Sequence, residues 1–321
     1  MERSMAIARI AVIGAAAAAF CGCAGLQSPS RPAPGETGAP TAPRHKAPPG
    51  LPLAPAARAR RLIYVADDGY GQIVIFPEAG KLRSPIGTIG TGINGPYGLY
   101  VDRHGELFVA NSGNNTITVY PKGATSPSLT YTKDLDRPLY PVVDKRGDLF
   151  VGNANGGTVV EYLASGTKGF RILQTAGVEV DGMDFDQSGT LYVAFRDSSG
   201  AGSVEAFAAG ARRGRIIGMS LNQPQGVVVD SHYSVLVAET GGTNRIDVFP
   251  PGTTQPSSEV SLPNGDTPTQ IALENNEKAL FVSTLSGTIY EMPYPLPQQP
   301  YVKERISTLV QGTTVSNDQT F

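Results

Sequence analysis

Six short apolar bursts punctuate the chain: LIYVA (62–66), LFVA (107–110), LFVG (149–152), LYVA (191–194), VLVA (235–238) and LFVS (280–283). A Gly- and Asn-rich polar knot follows each burst, and an alternating apolar–polar run follows the knot, as in NSGNN then TITVYP or TGGTN then RIDVFP. Alternation with a period of two and β-branched or aromatic content predicts strands. Asn and Gly tolerate the positive φ that tight hairpins demand, so each burst, knot and run reads as one hairpin.

The spacing turns six hairpins into one architecture. The shared Val65, Val109, Val151, Val193, Val237 and Val282 lie 44, 42, 42, 44 and 45 residues apart. A further strand follows each hairpin (SLTYTKDL, FRILQTA, GRIIGM), and another precedes the next burst: PYGLYVD (96–102), PLYPVVD (138–144), VDGMDFD (180–186), PQGVVVD (224–230) and PTQIALE (268–274). Four strands per repeat of this length predict an all-β, six-bladed β-propeller of antiparallel blades over residues 61–321. The first repeat starts at its second strand, so the C-terminal STLVQGTTV (307–315) is expected to supply the missing inner strand and close the ring.

Composition agrees with many short strands and tight turns: 38 Gly, 26 Pro, no Trp and only 17% charged residues in 321. A net charge of −2 without a long basic run gives no surface for nucleic acid, and none is expected as a partner.

The N-terminus is a different kind of segment. Arg3 and Arg9 precede the uncharged IAVIGAAAAAF (10–20) and then CGCAG, a secretory-signal pattern over residues 1–25. The apolar run is short for a permanent membrane span. The junction resembles a bacterial lipoprotein signal, in which a small residue precedes a lipidated Cys; Gly22–Cys23 fits, while Phe20 stands where Leu is usual. A cut at Cys21 would place Phe20 at the scissile bond, so Cys23 is preferred; an ordinary secretory signal cut among the alanines is the alternative. Residues 26–60 are rich in Pro and poor in aromatics, which predicts an extended tether. Both cysteines of the protein lie in the signal, so no disulfide is expected in the propeller. The expected location is outside the cytoplasm, secreted or held at the cell envelope through an N-terminal lipid.

Asp102, Asp144, Asp186, Asp230 and Glu274 end the five inner strands and could be taken for a ring of carboxylates. The continuations DRHG, DKRG and DQSG point instead to Asp-initiated turns. His104 and His232 fall in these turns without a second ligand at metal spacing. The pattern P-x-G-h-x-V-D-x-x-G-x-L-h-V-A, followed by a turn and I-x-V-(F/Y)-P, is clearest at 96–110 and 117–121. It resembles the NHL-repeat and SMP-30/gluconolactonase-like six-bladed propellers. That resemblance implies either a binding scaffold or a metal-dependent lactonase with Glu, Asn and Asp ligands around the channel. The nearest match to the lactonase Asn-Gly-Leu is Asp181-Gly182-Met183, and its N-terminal Glu-Gly-Pro has no counterpart here. No catalytic residue, metal ligand or cofactor is therefore assigned; a channel-bound divalent cation belongs to the hydrolase alternative.

The repeats disagree just after the Pro that opens the inner strand. That position carries Tyr97, Leu139, Asp181, Gln225 and Thr269, and the next carries Gly98, Tyr140, Gly182, Gly226 and Gln270. Variation on a regular scaffold is where specificity is written, so Tyr97, Tyr140, Asp181, Gln225 and Gln270 are the candidate ligand contacts at one channel mouth. The expected function is a non-catalytic scaffold for a protein, a peptide or a small polar ligand. Arg212, Arg213 and Arg215 in ARRGR are a solvated loop or a contact for an acidic partner or lipid head groups.

Overall fold

The computed structural model describes residues 62–77, 85–274 and 276–296, together with the backbone of 304–306 and 316–317. The signal, Cys23 and the tether lie outside the described residues.

Six antiparallel sheets form a six-bladed propeller. Blade two runs outward from the axis as Pro96–Val101, Leu107–Asn111, Thr116–Tyr120 and Leu129–Tyr131. Blade three repeats this with Pro138–Val143, Leu149–Asn153, Thr158–Tyr162 and Gly169–Gln174. Blade four comprises Glu179–Phe185, Leu191–Arg196, Ala201–Phe207 and Arg215–Ile216, with Leu221–Asn222 pairing back onto its third strand. Blade five is Pro224–Val229, Val235–Glu239, Arg245–Phe249 and Ser258–Ser261. Blade six is Pro268–Leu273, Ala279–Thr284, Ile289–Pro293 and Glu304–Ile306.

Blade one is closed from the far end of the chain. Its strands Leu62–Asp67, Gln72–Pro77 and Gly87–Ile89 receive Ser316–Asn317 as the inner strand, through Ile63 opposite Asn317 and Tyr64 opposite Ser316. The closing strand thus sits just beyond the 307–315 segment expected from the sequence, which lies outside the described residues. Joining the termini within one sheet removes an otherwise open edge.

The core is divided among the blade seams. Six apolar clusters each join two adjacent blades, for example Leu62, Tyr64 and Ile73 with Leu99 and Val109 between blades one and two. Strands buried on both faces explain why the bursts are continuous rather than alternating.

Two side-chain devices recur with the repeat. Asp102 Oδ1 accepts the N–H groups of His104 and Glu106 at 2.8 and 2.9 Å, and Asp144, Asp186 and Asp230 do the same in their own turns. These carboxylates are turn builders, as DxxG implied. At the other end of the blade, Asn111 Oδ1 accepts the N–H of Asn94, and Asn153 Oδ1 that of Asp136. Here the last side chain of the second strand holds the loop that leads into the inner strand of its own blade.

Candidate functional site

Where the five candidate residues sit follows from one backbone feature. The pairing of the inner strand in blades two to six shifts just after its first residues, between Pro96 and Leu99, Pro138 and Tyr140, Val180 and Gly182, Pro224 and Val227, and Pro268 and Ile271. A bulge frees residues from the ladder and re-aims their side chains. The freed positions include Tyr97, Asp181, Gln225 and Gln270, and Tyr140 directly follows its bulge. The divergence seen in the sequence therefore marks the ring's waist.

Neighbouring inner strands nearly touch at this level. A Cβ on Gly98 would lie 1.7 Å from the Leu139 carbonyl oxygen, and one on Gly182 would lie 2.2 Å from that of Gln225. With backbones this close, the side chains meet across the axis. Tyr97 and Tyr140 pack edge to face with ring centroids 5.7 Å apart. The Tyr97 hydroxyl donates a long 3.5 Å bond to Gln225 Oε1, spanning blades two and five. Gln225 Nε2 donates to Asp181 Oδ1 at 3.4 Å, and Gln270 Nε2 to the Asp181 carbonyl at 3.2 Å. Asp181, Tyr140, Gln225 and Gln270 are all buried, and Tyr97 is partly so. The structure thus brings all five together, as a plug whose members contact one another, rather than as a rim facing solvent.

Electrostatics sharpen this picture. Asp181 Oδ2 lies 3.1 Å from Arg196 Nε, and Arg196 also reaches Glu179 at 2.9 Å. Burial raises the Asp181 carboxyl well above the ordinary range, against the pull of Arg196. Burial and the Asp181 charge push the Tyr97 phenol up to about 12. The Tyr140 hydroxyl is buried without a well-aligned hydrogen-bond partner, and burial, then Tyr97 and Asp181, hold it protonated. Both phenols hold their protons near neutral pH.

Open space lies on the other side of the plug. A funnel of about 820 Å³ opens on the face of the Asp turns, with Tyr140 and Gln270 contributing to its lining from the plug. Leu99, Val142, Met183, Val228 and Leu273 give it apolar walls, and Phe150 and Phe185 stack edge to face at 5.1 Å beside them. Among the carboxylates in its lining, Asp184 is occupied in structure, because Oδ2 accepts the Val229 N–H at 2.8 Å.

The rim is charged and asymmetric. Arg103, Lys145 and Arg146 come from blades two and three, and Glu274 and Glu277 come from blade six, which faces blade three across the ring. Contacts from blade to blade hold the turns in place: Arg103 Nη1 donates to the Lys145 carbonyl at 2.9 Å, and Lys145 Nζ donates to that of Gln187. Ser231 donates both its N–H and its hydroxyl to the Glu277 carboxylate, at 2.7 and 2.6 Å. Sequence reasoning read these residues only as turn positions. The signal was present in the two variable residues of each turn, RH, KR, QS and SH, but which face they share is not written in the repeat.

Among the described residues no three His, Cys, Asp or Glu side chains are placed to hold a metal ion. Asp181 faces Arg196 instead, at 3.1 Å.

No family model matches the chain. It is 32% identical over 71 residues to the human NHL-repeat-containing protein 4, which covers 22% of this chain and 55% of that protein. The chain therefore spans about half the length of the curated relative it matches. Among solved structures, a chain from a nidogen/laminin complex superposes with a TM-score of 0.64 at 17% identity, covering 79% of this chain and 98% of that one. The Kuenenia stuttgartiensis hydrazine synthase follows at a TM-score of 0.56 and 11% identity, covering 72% of each chain. At such identities the structures share a fold and nothing further. The chain is thus a six-bladed β-propeller with partial sequence similarity to an NHL-repeat protein.

Proposed function

We propose that this propeller is a non-catalytic binding module, displayed outside the cytoplasm, that takes a peptide or small polar ligand in the funnel on its Asp-turn face. The observation that carries this reading is the funnel itself: apolar walls, a polar floor at Tyr140 and Gln270, and opposite charges on facing sides of the rim. Apolar concavities with a few polar groups are the common form of a ligand site. The opposed charges suit a ligand with both signs, oriented with its carboxylate toward Arg103 and Lys145 and its ammonium toward Glu274 and Glu277. The solved chain in the nidogen/laminin complex supports a protein or peptide ligand by analogy of fold. The lactonase alternative has less support, because Asp181 is buried in an ion pair and no cluster of metal donors accompanies it among the described residues.

Thermal unfolding in the presence of short peptides carrying one acidic and one basic residue tests the reading. Such peptides should raise the melting temperature of the wild-type chain, neutral peptides should not, and Lys145→Gln with Glu274→Gln should abolish the rise. Equal shifts for neutral peptides, or for the variant, would remove the funnel from consideration. Hydrolysis of a gluconolactone that depends on added calcium or zinc would establish the enzymatic alternative instead. Extracytoplasmic display is checked separately by cell fractionation of the wild type and of Cys23→Ser.

A further inference from the structure

The outer edges of blades three and four combine positive charge with exposed apolar side chains. Residues 163–178 and 208–220 contain Lys168, Arg171, Arg212, Arg213 and Arg215 and not one Asp or Glu, in a protein whose net charge is −2. Arg171 is turned inward onto Glu161. Lys168, Arg212, Arg213 and Arg215 are exposed, and none of them forms an ion pair among the described residues.

Large apolar side chains protrude from the same edges. Phe170 is 58% exposed, Ile172 54% and Ile216 50%, among the highest values of the described large hydrophobics. They lie on the outermost strands, Gly169–Gln174 and Arg215–Ile216. The two edges are tied together, because Arg171 Nη1 donates to the Gly210 carbonyl at 2.8 Å and the Ala176 N–H donates to Glu205 Oε2 at 2.9 Å. Glu161 and Glu205 are buried by these contacts, and Asp134, beside Gly169, is paired with Lys133, so the unpaired charge on these two edges is positive. The corresponding strand of blade five, Ser258–Ser261, carries Glu259 and no exposed large hydrophobic.

From this arrangement we infer that the outer edge of blades three and four is a docking surface for an anionic lipid bilayer. The charge is complementary to phosphate head groups, and unscreened arginines near such a surface each add to binding. The apolar residues stand out from the surface, which suits insertion at the head-group boundary, whereas an ordered protein partner would need matching recesses for each of them. The inference is independent of the funnel ligand. It gives the chain a peripheral membrane contact whether or not Cys23 carries a lipid.

Flotation of the full chain with phosphatidylcholine vesicles, with and without phosphatidylglycerol, tests it. The wild-type chain should partition preferentially onto the anionic vesicles, and raised salt should weaken that partition. Arg212→Glu, Arg213→Glu and Arg215→Glu together should lower it by about tenfold or more. Phe170→Ser with Ile172→Ser, which leaves every charge in place, should lower it as well. All variants carry the same N-terminus, so partition unchanged in both would assign binding to residues outside this edge and overturn the inference. Equal partition onto neutral vesicles would also overturn it, as would binding to polyglutamate without binding to vesicles, which would indicate an acidic protein partner. Unchanged melting temperatures would show that these exposed substitutions leave the propeller folded.

Discussion

Asp181 and Arg196 meet at 3.1 Å at the axis of the propeller, with the carboxylate fully buried and the guanidinium 23% exposed. Each comes from blade four, one from the bulge of the inner strand and the other from the end of the second strand. A buried pair of this kind gains little over an apolar substitute, but losing one partner strands the other's charge. Arg196→Met should therefore destabilise the protein by about 3–5 kcal/mol. Adding Asp181→Asn should recover much of that loss. Urea unfolding of the two single variants and the double variant measures the coupling.

Blade five offers a pH readout. Where blade two places Asn111 with Thr116 and Thr118, blade five places Glu239 with Arg245 and Asp247. Glu239 and Asp247 are both 1% exposed, with Arg245 between them and Glu259 beyond. Burial, then the neighbouring Glu239, raises Asp247 to about 7. A carboxyl raised on folding binds more protons folded than unfolded, so its stabilising contribution is complete at low pH and is lost as pH rises. Asp67, Asp181 and Glu205 are raised by burial too and act in the same sense. The contribution of Asp247 should thus decline from about pH 4 to pH 7. Asp247→Asn should remove that decline, as chemical denaturation across the pH range would show.

The narrow waist predicts an unusual sensitivity to a single methyl group. Gly98→Ala puts its Cβ against the Leu139 carbonyl, which belongs to the backbone of the next blade and cannot rotate away. A loss of about 3 kcal/mol or more is expected in equilibrium unfolding. Gly156→Ala has open space around its Cβ but a φ of +81°, so only the local strain of about 1–2 kcal/mol should register.

Asn111 is the loop latch of blade two. It accepts the Asn94 N–H at 3.0 Å and donates to Thr118 Oγ1 at 2.9 Å, fully buried. Asn111→Ala leaves these groups unsatisfied and should cost about 1–3 kcal/mol. Hydrogen exchange should localise the change to the loop leading into Pro96–Val101, because the latch acts on that segment.

NSGNN illustrates what local pattern could decide. Its burst, knot and run became Leu107–Asn111, a turn, and Thr116–Tyr120, because alternation and turn chemistry are set by neighbours in the chain. Blade number, strand order and the Asp turns were legible for the same reason, since every repeat restates them. The divergent Tyr97, Tyr140, Asp181, Gln225 and Gln270 were also visible as a set.

Their meaning was not, because it depends on distances between blades that a repeat does not encode. Backbone contact at Gly98 and Gly182 pulled these side chains into a mutually bonded plug and left the open funnel on the opposite face. The sequence alone determined the scaffold, through local periodicity and turn preference. Only closure of the ring decided which residues share a surface, since the facing charges of the funnel rim come from blades far apart in the chain and brought together by packing.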